Sequence, residues 1–519
     1  MRRVIHTAVV LELPHASQGD IRDLLRGRAQ VSPDLKVHLT ARDGAALQDK
    51  FRQAYWWIVN NAVISPYYDM RFGKPKTVGD GFNVIELPQE YSYSSYILLP
   101  LLTLMARKRA LLIGAPGRGK TSIAVLMGLL AGYTHEELKR AVQHGHPQLT
   151  VSDLLGSPLP SDLIKAENAE SIKVSWRQWI TMRVKVVDEY NRIPTKTQSA
   201  LLSLLAEGYA EMYDQFVSTG DSAWFLTAND DQGGGTFQVI EALKDRIDIV
   251  VRCTSFNSRY LDTLITRIES GQSPEDLVPR DIVFTEEELD RAASEIRAVG
   301  MGPEVRDALG FFLGPLDFCR QASERFEYKS KDTLHLGGKK LSAVCNESCP
   351  LDKSVHLCTQ TESGVSVRAF LTSIHFAKAL AYFRGNTEVT LDDLREILPW
   401  ILHEKLVPNR ESPFFDREDR SHLLFDRVSW IRRMFETAMS QSAAHESIRK
   451  SVNALRVLVE KGLEGVSADD ARKRMRDAHV LLEQLTKKTE LSGPVYEDLV
   501  QLKSIYSRYQ NYLNWLERA

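Results

Sequence analysis

Four short apolar runs frame the chain: "ALLIGA" (110–115), "VKVVD" (184–188), "AWFLTAN" (223–229) and "IDIVVRC" (247–253). Each is too short for a helix and lacks the polar alternation of a half-solvated strand, so each reads as a strand covered on both faces. Segments of helical periodicity stand between them. Over 86–275 this alternation predicts an α/β core, a parallel sheet flanked by helices. Ahead of it, 1–85 reads as an α+β region with a helical pattern around "AALQDKFRQAYWWIVNNAV". Behind it, 276–406 reads as all-α, broken at 319–363 by a polar, cysteine-bearing insertion, and 407–519 as a charged helical C-terminal domain.

The same pattern speaks to location. "MRRVIHTAVVLELPH" has a short apolar run interrupted by Glu12, which suits a first strand rather than a secretory signal. The most apolar stretch, "YILLPLLTLM" (96–105), contains Pro100 and falls well short of the roughly 20 residues that span a bilayer. A cytoplasmic protein is expected. At 519 residues the chain exceeds what one hydrophobic core supports, consistent with several domains. A formal net charge of −2 argues against a globally basic nucleic-acid binder and leaves room for a local basic patch.

Chemistry enters where the first strand ends. "ALLIGAPGRGKTS" runs from a strand through Gly114, Ala115, Pro116, Gly117, Arg118 and Gly119 into a helix opening with Lys120, Thr121 and Ser122. Glycines at this spacing let successive N–H groups curl around phosphate oxygens, and the helix N-terminus adds its positive dipole end. Lys120 is placed to reach the β- and γ-phosphates and the Thr121 hydroxyl to complete a Mg²⁺ shell, so ATP and Mg²⁺ are the expected cofactors. The strand "VKVVD" delivers Asp188 and Glu189 to the same edge of the sheet, where ligands of such sheets bind. Asp188 is assigned to the Mg²⁺ and Glu189 to the water that attacks the γ-phosphate, which predicts hydrolysis. Asn229, ending "AWFLTAND", suits a side chain between these strands that bonds the γ-phosphate or the water. Arg246, before the next strand, is expected to be an arginine finger for a neighbour's nucleotide if the protein forms a ring.

Together these pieces resemble the MoxR family of AAA+ ATPases. "DEYNRIPTKTQSALLSLLAEG" (188–208), "LTVSDLLGS" (149–157), "FQVIEALKDRID" and "GVSVRAFLTSIHFAKALAYFRGNTEVTLDDLREILPWILHEKL" (364–406) carry the resemblance. It implies an AAA+ P-loop sheet followed by an all-α lid, with Arg368 touching the γ-phosphate from the lid. Asn191 and Arg192 match the family's Asn-Arg, with a subunit-interface or nucleotide-sensing role open for Arg192. The resemblance also implies a ring, usually hexameric, that remodels client protein complexes, often with a partner carrying a von Willebrand factor A domain. Two alternatives stand beside it: a nucleic-acid-associated AAA+ motor, and a slow nucleotide-dependent assembly switch or scaffold.

Four of the five cysteines, Cys319, Cys345, Cys349 and Cys358, fall in the insertion, with His335 and His356 nearby. Four thiolates, or three and one imidazole, would satisfy tetrahedral zinc, and an iron–sulfur cluster is the second four-thiolate solution. A zinc site is the expectation here, against unrelated thiols in a variable loop, since so long a polar excursion otherwise has little to hold it together. Near the C-terminus Tyr506, Tyr509, Tyr512 and Trp515 recur every three residues, a stripe expected to be helical core packed on "RKSVNALRVLVEKGL".

Overall fold

Val184, Val186 and Val187 are buried on both faces of their strand, as an apolar run without alternation requires. The computed structural model describes residues 47–518 apart from Pro66, 81–83, 160–163, 165–171, 230–244, 254–257, Gln272, His445 and 489–490. Among the described residues five strands form the central sheet: β1 (Arg109–Ile113), β2 (Val142–His144), β3 (Val184–Asp188), β4 (Ala223–Ala228) and β5 (Ile249–Arg252). All neighbours are parallel, in the order β5-β1-β4-β3-β2. The register sets Ala228 beside Ile113 and Leu226 beside Val187, so β1, β3 and β4 end at one edge. That edge is where parallel sheets hold ligands.

Helices cover both faces. On one side α1 (Leu47–Trp57), α2 (Ser95–Ala106) and α3 (Lys120–Leu130) share a core with the later helices α5 (Val367–Arg384) and α6 (Leu391–Leu402). Phe51 and Tyr55 of α1 lie in that core against Phe284 and Phe383, so this helix packs with the main body. On the other side α4 (Thr195–Glu207) covers Leu111, Val187, Leu226 and Val250. Helix starts follow local chemistry. Ser366 caps α5, and Thr390 with Asp393 forms a capping box on α6. Farther along, α7 (Glu446–Glu460), α8 (Ala468–Lys488) and α9 (Gly493–Leu516) enclose a separate core that buries Tyr509, while Trp515 is exposed and stacks on Tyr512. Parallel sheet, flanking helices and helical C-terminal region are the fold class the pattern predicts.

One residue in the sheet breaks the apolar rule. Lys185 is fully buried in β3, where its Nζ donates to the carbonyls of Met182 and Thr219 and lies 5.1 Å from the Trp224 ring centroid. Burial drives its pKa down to about 7.

Candidate functional site

Backbone geometry builds the phosphate loop. A side chain at Gly114 would meet the Cys253 carbonyl oxygen at 2.6 Å, so the loop and the end of β5 approach closely only because this residue is Gly. Gly117 and Gly119 adopt φ of 74° and 71°, left-handed values that fold the loop back over the start of α3. Helix α3 begins at Lys120 with no side-chain cap, and its first residues line a cavity of about 270 Å³. An uncapped helix N-terminus facing a cavity is an anion site. Lys120 is nearly buried and its Nζ donates to Gly114 O (2.7 Å), Ala115 O (2.9 Å) and Asn229 Oδ1 (2.9 Å). Tyr96 Oη supports the loop from behind by donating to Arg118 O at 3.1 Å.

The acidic strand end closes the same cavity. Asp188 Oδ1 accepts from Thr121 Oγ1 (2.8 Å) and Thr227 Oγ1 (2.6 Å), while His144 Nδ1 stands 3.5 Å from Oδ2. A hydroxyl beside a carboxylate is the hard oxygen donor set that suits Mg²⁺. Glu189 sits at φ 51°, a left-handed conformation that is costly for a non-Gly residue and recurs at functional sites. Its N–H donates to Thr227 Oγ1 at 2.9 Å, and Gly145 presses against the peptide, its N–H on Asp188 O at 2.7 Å. The turn aims the Glu189 carboxylate into the cavity, where Oε1 accepts from Asn229 Nδ2 (3.3 Å) and Oε2 lies 3.4 Å from Arg192 Nε. Asn191 Nδ2 donates to Asn229 O at 3.2 Å. The Asn-Arg pair after the acids therefore braces Asn229 and Glu189.

Of the residues predicted from sequence, Pro116 to Ser122, Asp188, Glu189 and Asn229 line this one cavity, with Gly114 and Ala115 holding Lys120 beneath it. Thr227, His144 and Gly145 were missed. Each lies at or beside a strand end and gains its meaning only from the register of neighbouring strands. Arg246 and Arg368 stand elsewhere. Arg368 Nη1 donates to Asp245 Oδ2 at 2.6 Å, beside Arg246 and away from the cavity lining. The finger segment ahead of Asp245 (230–244) lies outside the described residues.

The expected zinc or iron–sulfur site finds no support in the arrangement of the side chains. Among the described residues no group of three or more His, Cys, Asp or Glu side chains is arranged to hold a metal ion. The thiols face small apolar cores instead. Cys319 and Cys345 pack with Leu334 and Leu341, and Cys349 and Cys358 with Phe318, Leu351 and Tyr496. Burial raises the Cys319 and Cys345 thiols and pushes Cys358 up to about 12, and neighbouring thiols of the same insertion raise them further. A buried lysine fastens the insertion. Lys331 Nζ donates to Thr361 O (2.6 Å) and Thr361 Oγ1 (2.7 Å).

Two stretches match known families. Residues 109–249 match the ATPase family associated with various cellular activities (AAA), and 354–424 match the AAA lid domain. The chain is 30% identical over 206 residues to the uncharacterized protein YeaC of Bacillus subtilis, a match covering 38% of this chain and 60% of that one. The chain thus spans about three fifths of this relative's length. A crystal structure of a candidate ATPase from Cytophaga hutchinsonii is 18% identical with a TM-score of 0.49, covering 75% of this chain and 94% of that one. Sheet, phosphate loop and lid together make an AAA+ ATPase fold. Among the described residues no helix is long and apolar enough to cross a membrane.

Proposed function

We propose that the chain is a MoxR-like AAA+ ATPase that hydrolyses ATP at the subunit interfaces of a ring, hexameric as the resemblance implies, to remodel, mature or activate client protein complexes. One observation carries the hydrolytic reading: a single cavity is lined by Lys120, Thr121, Asp188, Glu189 and Asn229, already joined by hydrogen bonds. The loop's N–H groups and the N-terminus of α3 bind the phosphates, and the Lys120 ammonium exchanges its carbonyl partners for phosphate oxygens. Thr121 and Asp188 would hold Mg²⁺, which when bound neutralises charge on the β- and γ-phosphate oxygens. Glu189 orients the lytic water and takes its proton, with Asn229 and Arg192 fixing the direction of its carboxylate.

Glu189→Gln keeps the shape of the site and removes the base. It is expected to bind ATP with near-native affinity and to lose hydrolysis by about 10²- to 10⁴-fold, checked by equilibrium nucleotide binding beside steady-state phosphate release. Native turnover in this variant would remove Glu189 from the role. The client reading is separated from a nucleic-acid motor by assaying ATPase activity alone, with single-stranded and duplex nucleic acid, and with von Willebrand factor A domain proteins. Stimulation by nucleic acid only would overturn it.

A further inference from the structure

A cavity of about 710 Å³, larger than the one at the phosphate loop, opens beside β2 and takes no part in the site above. Its volume falls in the range of ligand sites. Its walls come from the helix His135–Ala141, from β2, and from the antiparallel pair Gly156–Pro158 with Val174–Trp176. Lys139, Arg140 and Arg177 stand exposed on these walls, against a single acid, Asp153. Asp153 spends Oδ2 on the cap of its own helix, accepting from Thr150 N (3.0 Å) and Thr150 Oγ1 (2.7 Å). The arginines meet neutral oxygens: Arg140 Nη1 donates to Gln178 Oε1 at 3.4 Å and Arg177 Nε to Asp153 O at 3.1 Å. Among the described residues none of the three cations forms an ion pair.

Two features of these walls select the ligand. Three cations without a carboxylate partner call for negative charge. Strand β2 ends the sheet, so among the described residues its outer edge has no strand to pair with, and Val142 and Gln143 bring that edge to the cavity. A bare edge accepts an extended polypeptide through main-chain pairing, with alternate side chains directed at one wall. A nucleic acid would use the cations but leave the edge unmatched, and half-buried Trp176 is the only partly exposed ring on the walls to stack a base. From the cavity β2 leads straight to the catalytic turn. His144 is in register with Asp188, and the Gly145 N–H donates to Asp188 O at 2.7 Å.

We propose that this cavity binds an acidic, extended peptide segment as an added strand on β2, with its carboxylates held by Lys139, Arg140 and Arg177. The inference rests on the client-remodelling reading above and deepens it by giving the client's chemistry, an unfolded acidic stretch. A strand laid on β2 steadies the element that carries Gly145 against the Glu189 turn, so occupancy raises turnover.

The probe is a short fluorescent peptide alternating Glu and Val, and anisotropy reads its binding to the full chain without requiring hydrolysis. The native chain is expected to bind it, more weakly as salt rises. Lys139→Glu combined with Arg177→Glu should weaken binding at least about tenfold, with unchanged ATP affinity as the check on folding. The same peptide with every amide N-methylated keeps its charge but loses its main-chain donors, and should also bind at least about tenfold more weakly. Saturating peptide should raise the native kcat severalfold and leave the double variant at its basal rate. Equal binding of the N-methylated peptide overturns the added strand, and an unchanged kcat with peptide bound overturns the link to Glu189. Tighter binding of a single-stranded oligonucleotide than of the peptide overturns the ligand class. A double variant that no longer assembles as the native chain does would make the cavity a contact between copies instead. Absence of peptide binding in a chain that hydrolyses ATP overturns the inference and leaves the ATPase reading standing. Peptide binding by a chain without hydrolysis removes the ATPase reading and leaves the peptide site.

Discussion

Lys185 is a charge placed where the fold gains nothing from one, and its cost depends on pH. With a folded pKa near 7 and an unfolded value of about 10.4, both states are protonated below pH 7 and the full penalty of burying the ammonium applies. Between pH 7 and about 10.4 the unfolded chain binds more protons than the folded one, so stability rises with pH across that window. The slope from this residue approaches about 1.4 kcal/mol per pH unit. Lys185→Met, of similar volume, should flatten that dependence, and urea melts of both proteins at pH 7.5 and 9.5 measure it. Equal slopes would mean that the lysine stays charged in the fold. Sequence shows this residue only as a polar interruption of "VKVVD". The carbonyls of Met182 and Thr219 that tolerate it come from other turns and cannot be read locally.

At the scale of elements, the candidate site is legible wherever its chemistry is written along one segment. The phosphate loop requires its glycines in sequence, and Asp188 and Glu189 close their own strand, so both read directly from the chain. Thr227, His144 and Gly145 acquire roles only when β2, β3 and β4 are set side by side, information that parallel pairing supplies and sequence order does not. Gly145 makes the point testable. A Cβ there would stand 2.4 Å from Glu189 O and 3.0 Å from Asp188 O, both backbone atoms of the strained turn. Gly145→Ala must therefore displace the turn that aims the base. The expected outcome is a kcat lower by about 10²-fold, with ATP binding largely kept, since a shift near 1 Å suffices for such a loss. Single-turnover kinetics beside nucleotide titration distinguish this from simple unfolding.

At the scale of the whole molecule, the insertion shows how counting residues differs from placing them. Four cysteines within forty residues fit the ligand count of a metal, but spacing along the chain does not fix where the sulfurs point. In the fold they divide between two small apolar clusters, and the long-range tie is Lys331 to Thr361. The lysine is fully buried, its pKa lowered to about 8 by burial, and no residue near it in sequence advertises the role. Around it, Asn409 Nδ2 donates to Thr359 O at 2.9 Å and Trp430 Nε1 to Gln360 Oε1 at 3.1 Å, so residues 359–361 are the seam between insertion and C-terminal region. Lys331→Met removes the tie while filling its volume, leaving the Thr361 carbonyl without its buried donor at a cost of about 1–3 kcal/mol. Limited proteolysis of the full chain should then cut within 319–363 faster than in the native protein, with ATP binding unchanged because the phosphate cavity lies in a different element. The double variant Cys345→Ser and Cys349→Ser is the counter-test. If protein packing holds the insertion, it should resist protease almost as the native chain does. If a thiolate-bound ion does, this variant should be cleaved as readily as Lys331→Met, and zinc or iron measured in the native protein should fall with it.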